Sequence, residues 1–153
     1  MNFFNADKNN FCCGLLSTIL GYYADIYPAA KSGINTQTFL NATILVSENY
    51  NNSEFSIYDI SQKLKISTAT LYRLFIKFVG ISPNRYINNY RITMAKNLID
   101  DGASISTAAL SCGFKDPLYF SRVFKSFTSV SPSDYKKRDT ENIWQETHLH
   151  KNE

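Results

Sequence analysis

A repeated helical unit, offset by 49 residues, constrains the fold of this chain more than any other feature. Residues 71–86 and 120–135 align with six identities in sixteen positions. The identical residues are Arg73/Arg122, Phe75/Phe124, Phe78/Phe127, Ser82-Pro83/Ser131-Pro132 and Tyr86/Tyr135. Each copy has the pattern of a short helix, a tight turn and a longer helix, which is typical of a helix-turn-helix. The sequence therefore predicts a duplicated helical domain.

Capping residues and apolar spacing predict helices throughout, and no segment alternates as a strand does. Predicted helices cover 12–27, 35–49, two turns after Ser56, 68–79, 83–99, a short stretch after Ser104, 117–128 and a last stretch after Ser131. The Ser82-Pro83 pair is an N-cap followed by a first-turn proline. We expect an all-α fold: two helix-turn-helix subdomains joined by the long helix 83–99, with an extra N-terminal helix. The predicted apolar face of helix 83–99 contains Tyr86, Ile87, Tyr90, Met94, Ala95 and Leu98.

Charge is distributed unevenly along the 153 residues. Residues 1–54 have a net charge of −2, residues 55–138 of +8 and residues 139–153 of −3. Arg85, Arg91 and Lys96 add positive charge to the long helix. A cationic segment between two anionic flanks indicates a surface that faces a polyanion such as nucleic acid. An ordinary solvated surface rich in lysine would give the same net charges.

The outward faces of the two longer helices indicate what the repeat binds. Removing the core positions leaves Ala69, Tyr72, Arg73 and Ile76 in the first copy and Leu118, Ser121, Arg122 and Lys125 in the second. Arginine on such a face can bind guanine O6 and N7 in the major groove, and apolar side chains suit the thymine methyl group. The alternative is an ordinary solvated face with both arginines paired to local acids. Two copies within the basic segment favour DNA.

Two motifs resemble the AraC/XylS family of DNA-binding domains. The run from Leu71 to Ile87 is similar to the first half of such a domain. Gly113-Phe-Lys-Asp-Pro-Leu-Tyr-Phe-Ser-Arg-Val-Phe-Lys125, followed by Ser131-Pro-Ser-Asp-Tyr135, is similar to its second half. The resemblance covers about residues 35–138. It implies a bacterial transcription regulator that inserts helices 68–79 and 117–128 into successive major grooves, about one turn (~34 Å) apart. The first residues lack the positive region of a secretory signal, so we expect a cytoplasmic protein.

The resemblance also implies roles for individual positions. The positions that match base-facing sites of the family are Ala69, Tyr72, Arg73, Leu118, Ser121 and Arg122. The candidates for contacts with the DNA backbone are Thr68, Thr70, Lys77 and Lys125. Ser129 departs from the family, which has a glycine before the hydrophobic-Ser-Pro motif. A left-handed backbone conformation is expected there, at a cost to a non-glycine residue.

The expected domains are a helical extension (1–33), a double helix-turn-helix domain (34–138) and a flexible tail (139–153). Many members of the family carry a ligand-binding domain, but the extension has no strand pattern, so we expect no such domain. Activation is the commoner outcome in the family, so we expect an activator whose effect follows its abundance. RNA polymerase is the expected protein partner, and the chain is expected to be a monomer or a weak homodimer. Alternatives are control by dimerisation, redox chemistry or a partner acting through 1–33, or a protein-interaction module derived from the fold.

Other function classes have little support. Cys12, Cys13 and Cys112 do not form a Cys-x-x-Cys pair, and the two histidines lie in a polar tail. No Gly-rich phosphate loop is present. We therefore expect no enzyme, no metal and no cofactor. The apolar stretch 11–27 is interrupted by polar residues and is too short to cross a bilayer, so no membrane association is expected.

Overall fold

The computed structural model describes residues 33–137, and every regular element within that range is a helix. The helices are α1 (Ile34–Asn49), α2 (Ile57–Leu64), α3 (Thr68–Val79), α4 (Pro83–Asp100), α5 (Ile105–Ser111), α6 (Pro117–Thr128) and α7 (132–137). Contacts divide the chain between Leu40 and Asn41, and the packing described below concerns residues 41–137. The predicted all-α fold is confirmed. The predicted helix 12–27 and tail 139–153 lie outside the described residues.

Side-chain caps set the start of several helices, among them the predicted cap Ser82. The backbone N–H of Thr70 donates to Ser67 Oγ at 3.1 Å, and that of Arg85 donates to Ser82 Oγ at 3.3 Å. At α6 the cap is Asp116, whose carboxylate accepts from the N–H of Leu118 at 2.8 Å. These bonds satisfy N–H groups that have no partner inside the first helical turn. The starts of both longer helices of the repeat are therefore set by local sequence.

The repeat seen in the sequence is reproduced in three dimensions. Phe75 and Tyr86 form an edge-to-face ring pair with centroids 5.1 Å apart. Their counterparts Phe124 and Tyr135 form the same pair at 5.4 Å. In both copies an aromatic residue of the longer helix thus contacts the first turn of the helix that follows. The two subdomains therefore pack these equivalent helices in the same way.

The turn after each longer helix contains a residue with positive φ. This residue is Gly80 (φ 72°) in the first copy and Ser129 (φ 66°) in the second. The amide of Ser129 donates to the carbonyl of Lys125 at 2.8 Å, which closes α6. The predicted left-handed position is confirmed, and it carries a side chain that this conformation disfavours.

Replacing Ser129 by glycine is expected to raise the free energy of unfolding by about 0.5–1 kcal/mol, because glycine removes the left-handed penalty. Urea unfolding followed by circular dichroism measures this change. Ser129→Ala is the matched control, since alanine removes the hydroxyl and keeps the penalty. An equal gain in both variants would mean that the hydroxyl, and not the backbone conformation, limits stability.

The second subdomain has a continuous core against α4. Its buried residues are Ile92, Ala95, Ile99, Ala108, Ala109, Cys112, Phe114, Phe120, Val123 and Phe124. The predicted face of α4 is incomplete: Met94 and Leu98 pack half-buried against this core as expected, but Ile92 and Ile99, which the prediction leaves out, are buried in it. Helix α4 contacts α3, α5 and α6, so its buried surface is wider than the predicted face.

Arg91 of α4 corrects a second expectation from the sequence. The sequence places it among the positive charges available for a polyanion, but its side chain is buried at 8% exposure. Its guanidinium donates from Nε to the carbonyl of Tyr50 at 2.7 Å and from Nη2 to that of Asn52 at 2.8 Å. Burial lowers the pKa of Arg91, although an arginine stays charged in proteins. In this structure its guanidinium binds backbone carbonyls inside the protein and is not part of the exposed cationic surface.

Cys112 is fully buried, and burial raises the pKa of its thiol to about 11, an effect that Arg91 partly opposes. The thiolate is the reactive form, so this position suits a small apolar residue better than a redox sensor. Because the folded pKa lies above the unfolded one, the contribution of this thiol to stability is complete below about pH 8.5 and declines as the pH rises towards 11.

In a chain carrying Cys12→Ser and Cys13→Ser, Cys112 is expected to react with a thiol-specific disulfide reagent at pH 8 about 100-fold or more slower than a free cysteine peptide. Absorbance of the released thiolate measures the rate. The same chain in concentrated urea is the control and should react at the rate of the peptide. Rapid reaction of the folded chain would restore Cys112 as a redox candidate.

Candidate nucleic-acid interface

Helix α3 presents the first candidate face. Ala69, Tyr72, Arg73 and Ile76 are exposed, while Leu71, Leu74 and Phe75 on the opposite side are buried. Tyr72 is 49% exposed and Ile76 45% exposed, so the face is part aromatic and part aliphatic. Arg73 Nε lies 3.4 Å from the carbonyl of Ala69, a long contact that leaves the guanidinium edge open.

Helix α6 presents the equivalent face of the second subdomain. Leu118 is 74% exposed, and Arg122 is exposed one helical turn later. Ser121 is half-buried on the same face, and its hydroxyl donates to the carbonyl of Pro117 at 2.9 Å. A DNA contact by this hydroxyl would share or replace that internal bond. The six base-facing candidates thus lie on the outer sides of two equivalent helices.

The four candidates for backbone contacts differ in accessibility. Thr68, Lys77 and Lys125 are exposed, and Thr70 is half-buried. The Thr70 hydroxyl lies 2.9 Å from Ser67 Oγ, so it already takes part in the cap of α3. The Lys77 ammonium lies 5.5 Å from the centre of the Phe78 ring. Thr68 and Lys125 are the freest of the four to meet a phosphate.

The cations of these faces are not neutralised within the described part of the chain. Among residues 33–137, the ion pair formed is between Lys115 and Glu54, and neither Arg73 nor Arg122 contacts an acidic side chain. This argues against the alternative in which both arginines are paired locally. An open guanidinium keeps its planar set of donors for a bidentate acceptor.

Asn88 and Tyr119 were not singled out from the sequence. Asn88 Nδ2 donates to the hydroxyl of Tyr119 at 3.1 Å, which links α4 to the first turn of α6. The Tyr119 ring also lies 6.1 Å from that of Phe114. Tyr119 follows Leu118 directly, so this contact holds the end of α6 that carries the candidate face. The only available signal was that Tyr119 replaces Thr70 in the repeat, which does not identify a partner on α4.

Two other kinds of site are absent from the same range. Residues 33–137 contain no group of three or more His, Cys, Asp or Glu side chains placed to hold a metal ion. No helix described there is both long enough and apolar enough to span a membrane.

Comparison with known proteins supports the double helix-turn-helix arrangement. The family described as "Helix-turn-helix domain" matches residues 60–138, more than half of the chain. The chain is 37% identical over 92 residues to the arabinose operon regulatory protein of Escherichia coli, covering 60% of this chain and 32% of that protein. It is 32% identical over 111 residues to histidine kinase P4 of Formosa agariphila, covering 72% of this chain and 8% of that protein.

A solved structure from Chromobacterium violaceum, a transcriptional regulator described as containing an AraC-type DNA-binding domain, is 25% identical with a TM-score of 0.62. The similarity covers 67% of this chain and 92% of that one. The chain thus spans less than half of the length of these two relatives, and the family that matches its residues 60–138 is a helix-turn-helix domain. The prediction that this domain is not an enzyme is confirmed. By these matches the chain belongs to the AraC/XylS family.

Proposed function

We propose that residues 34–138 form a sequence-specific unit that binds double-stranded DNA and regulates transcription. Helices α3 and α6 enter successive major grooves, with Ala69, Tyr72 and Arg73 on the first set of bases and Leu118, Ser121 and Arg122 on the second. The observation that carries this proposal is the pair of open arginines, Arg73 and Arg122, at equivalent positions of two exposed helix faces. A single such helix would fit many partners, whereas two fit a repeated groove.

Phosphate contacts position the domain in this proposal. Thr68 and Thr70 at the start of α3, and Lys77 and Lys125 near the ends of the two helices, provide hydroxyl and cationic donors. Such contacts fix register and orientation without carrying sequence information. They also predict an affinity that falls as salt rises, because each neutralised phosphate releases a counterion.

Activation through contact with RNA polymerase is the proposed effect, since activation is the commoner outcome in the family. The proposed domain boundaries are 33/34 and 138/139, with residues 1–33 dispensable for DNA recognition. A chain beginning at Gly33 tests this boundary. Loss of specific binding by a folded truncation would assign part of the recognition to the N-terminal residues.

Selection from a randomised duplex pool tests the function itself, with the enriched sequences re-measured at several salt concentrations. We expect a site of two short blocks about one turn apart, bound at least roughly 10³-fold tighter than unrelated DNA. Repeated copies of the whole site would indicate a dimer. If no sequence is enriched and the residual binding falls steeply with salt, the chain has only a basic surface that binds DNA non-specifically. The protein-interaction module then replaces DNA recognition as the proposed function.

A further inference from the structure

The segment 50–54, called the strap below, connects α1 to α2 but packs against the second subdomain. The ring of Tyr50 lies against the core of the second subdomain and 5.3 Å from the ring of Tyr90. The segment that leads directly into the first helix-turn-helix is therefore attached to the second one.

Arg91 and Gly113 form the attachment point. Arg91 donates to the carbonyls of Tyr50 and Asn52, and its guanidinium lies 5.9 Å from the centre of the Phe114 ring. Gly113, at φ 79°, lies so close beneath the strap that a Cβ there would come within 2.6 Å of the Tyr50 carbonyl oxygen. Such an approach is possible only for glycine, since a methyl group would displace the strap.

An ion pair extends this attachment to the turn before α6. Lys115 lies between Gly113 and Asp116, the cap of α6, and it pairs with Glu54 at the end of the strap. The next residues after the strap, Phe55 and Ser56, are respectively buried and the N-cap of α2. The strap therefore joins the start of the first helix-turn-helix to the turn of the second through side-chain contacts, in addition to the covalent link through α4.

We infer that Arg91 and Gly113 are positioning residues which, through the strap, set the angle and distance between the two recognition helices. This inference rests on the proposed function, because its consequence is a preferred spacing between the two DNA blocks. Two rigidly linked helices give the second contact a high effective concentration only when the DNA presents both blocks in register. Inserting 2 bp moves one block by about 70° around the axis and about 7 Å along it.

The test compares binding of full-length variants to the selected site with spacers altered by −2 to +2 bp. Wild-type protein is expected to lose about tenfold or more at +2 bp. Arg91→Met and Gly113→Ala are expected to lose about tenfold on the original site and to bind all spacers within about threefold of one another. Gly102→Ala is the matched control: Gly102 also has positive φ (93°) but a Cβ there meets nothing within 4 Å, so its spacing preference should stay that of wild type.

A second measurement does not depend on DNA. Spin labels on Lys63→Cys and Ser106→Cys, in a chain with Cys12 and Cys13 replaced by serine, report the distance between the subdomains by double electron–electron resonance. The distance distribution should broaden in Arg91→Met and Gly113→Ala but not in Gly102→Ala. If either variant fails to fold, Arg91→Lys, which keeps the charge but loses the two-pronged donor, should show the same changes to a smaller degree.

The outcomes separate the two proposals. Failure of the wild-type chain to select any site overturns the proposed function, and the distance measurement then still decides on the strap. Folded variants with a wild-type spacing profile and an unchanged distance distribution overturn the strap inference while leaving DNA recognition intact.

Discussion

Replacing Arg73 or Arg122 by alanine is expected to weaken binding to the selected DNA site by about 1–3 kcal/mol each, roughly 5- to 150-fold. Each arginine is exposed and has no acidic partner among residues 33–137, so its donors are available to a guanine edge. Fluorescence anisotropy with the selected duplex and with duplexes in which one block is scrambled measures the losses. Arg73→Ala should remove discrimination in one block and Arg122→Ala in the other.

Because the two arginines lie on separate helices, their effects should add in the double variant. Lys63→Ala is the matched control, since Lys63 is an exposed cation of α2 outside both faces. It should lower affinity equally little for all sequences. Equal losses on selected and unrelated DNA for Arg73→Ala or Arg122→Ala would assign that arginine to phosphate positioning and not to base recognition.

Phe124→Ala is expected to lower the free energy of unfolding by about 3–5 kcal/mol, because it removes a large buried ring and leaves a cavity. The Phe124 side chain is 0% exposed, and its ring lies 5.5 Å from that of Phe120 and 5.4 Å from that of Tyr135. A domain of this size has about 5–15 kcal/mol in total, so the variant should approach unfolding at physiological temperature. Urea denaturation at low temperature measures the loss.

Phe127→Ala is the control for Phe124→Ala. Phe127 lies on the same helix but is only half-buried, with the Arg85 guanidinium 5.6 Å from its ring centre. Its removal should cost clearly less, because water and neighbouring side chains can fill the space. Equal losses at the two positions would mean that the ring pair with Tyr135 does not carry the packing between α6 and α7.

Local signals predicted most of the helices because their physical causes are local. Ser67 and Ser82 cap α3 and α4 through residues three positions away, so the capping bonds can be read from the sequence. The 49-residue repeat aligned Phe124 with Phe75 and Tyr135 with Tyr86, and in the structure the two pairs of rings pack in the same edge-to-face way. The predicted outer faces rest on the same periodicity, and their roles in DNA binding stay predictions.

The interactions missed are those between residues far apart in the chain. Arg91 looked like one more surface cation, but it lies beneath two carbonyls of a loop about 40 residues earlier. The sequence indicates that Gly113 ends a helix, but it does not show that Gly113 lies against the backbone of Tyr50. Ile92 and Ile99 lie outside the predicted face of α4, and both are buried in the core that the second subdomain builds against this helix.

Periodicity and capping chemistry thus set which segments are helical and which side each one turns outward, because those choices depend on neighbours within one or two turns. The tertiary structure alone determines how the two helix-turn-helix units are held together and which charged side chains are buried. Both depend on contacts between the strap, α4 and the turn before α6. Such contacts form because segments far apart in the chain must pack closely and pair their buried polar groups. Neither requirement leaves a periodic pattern in the sequence.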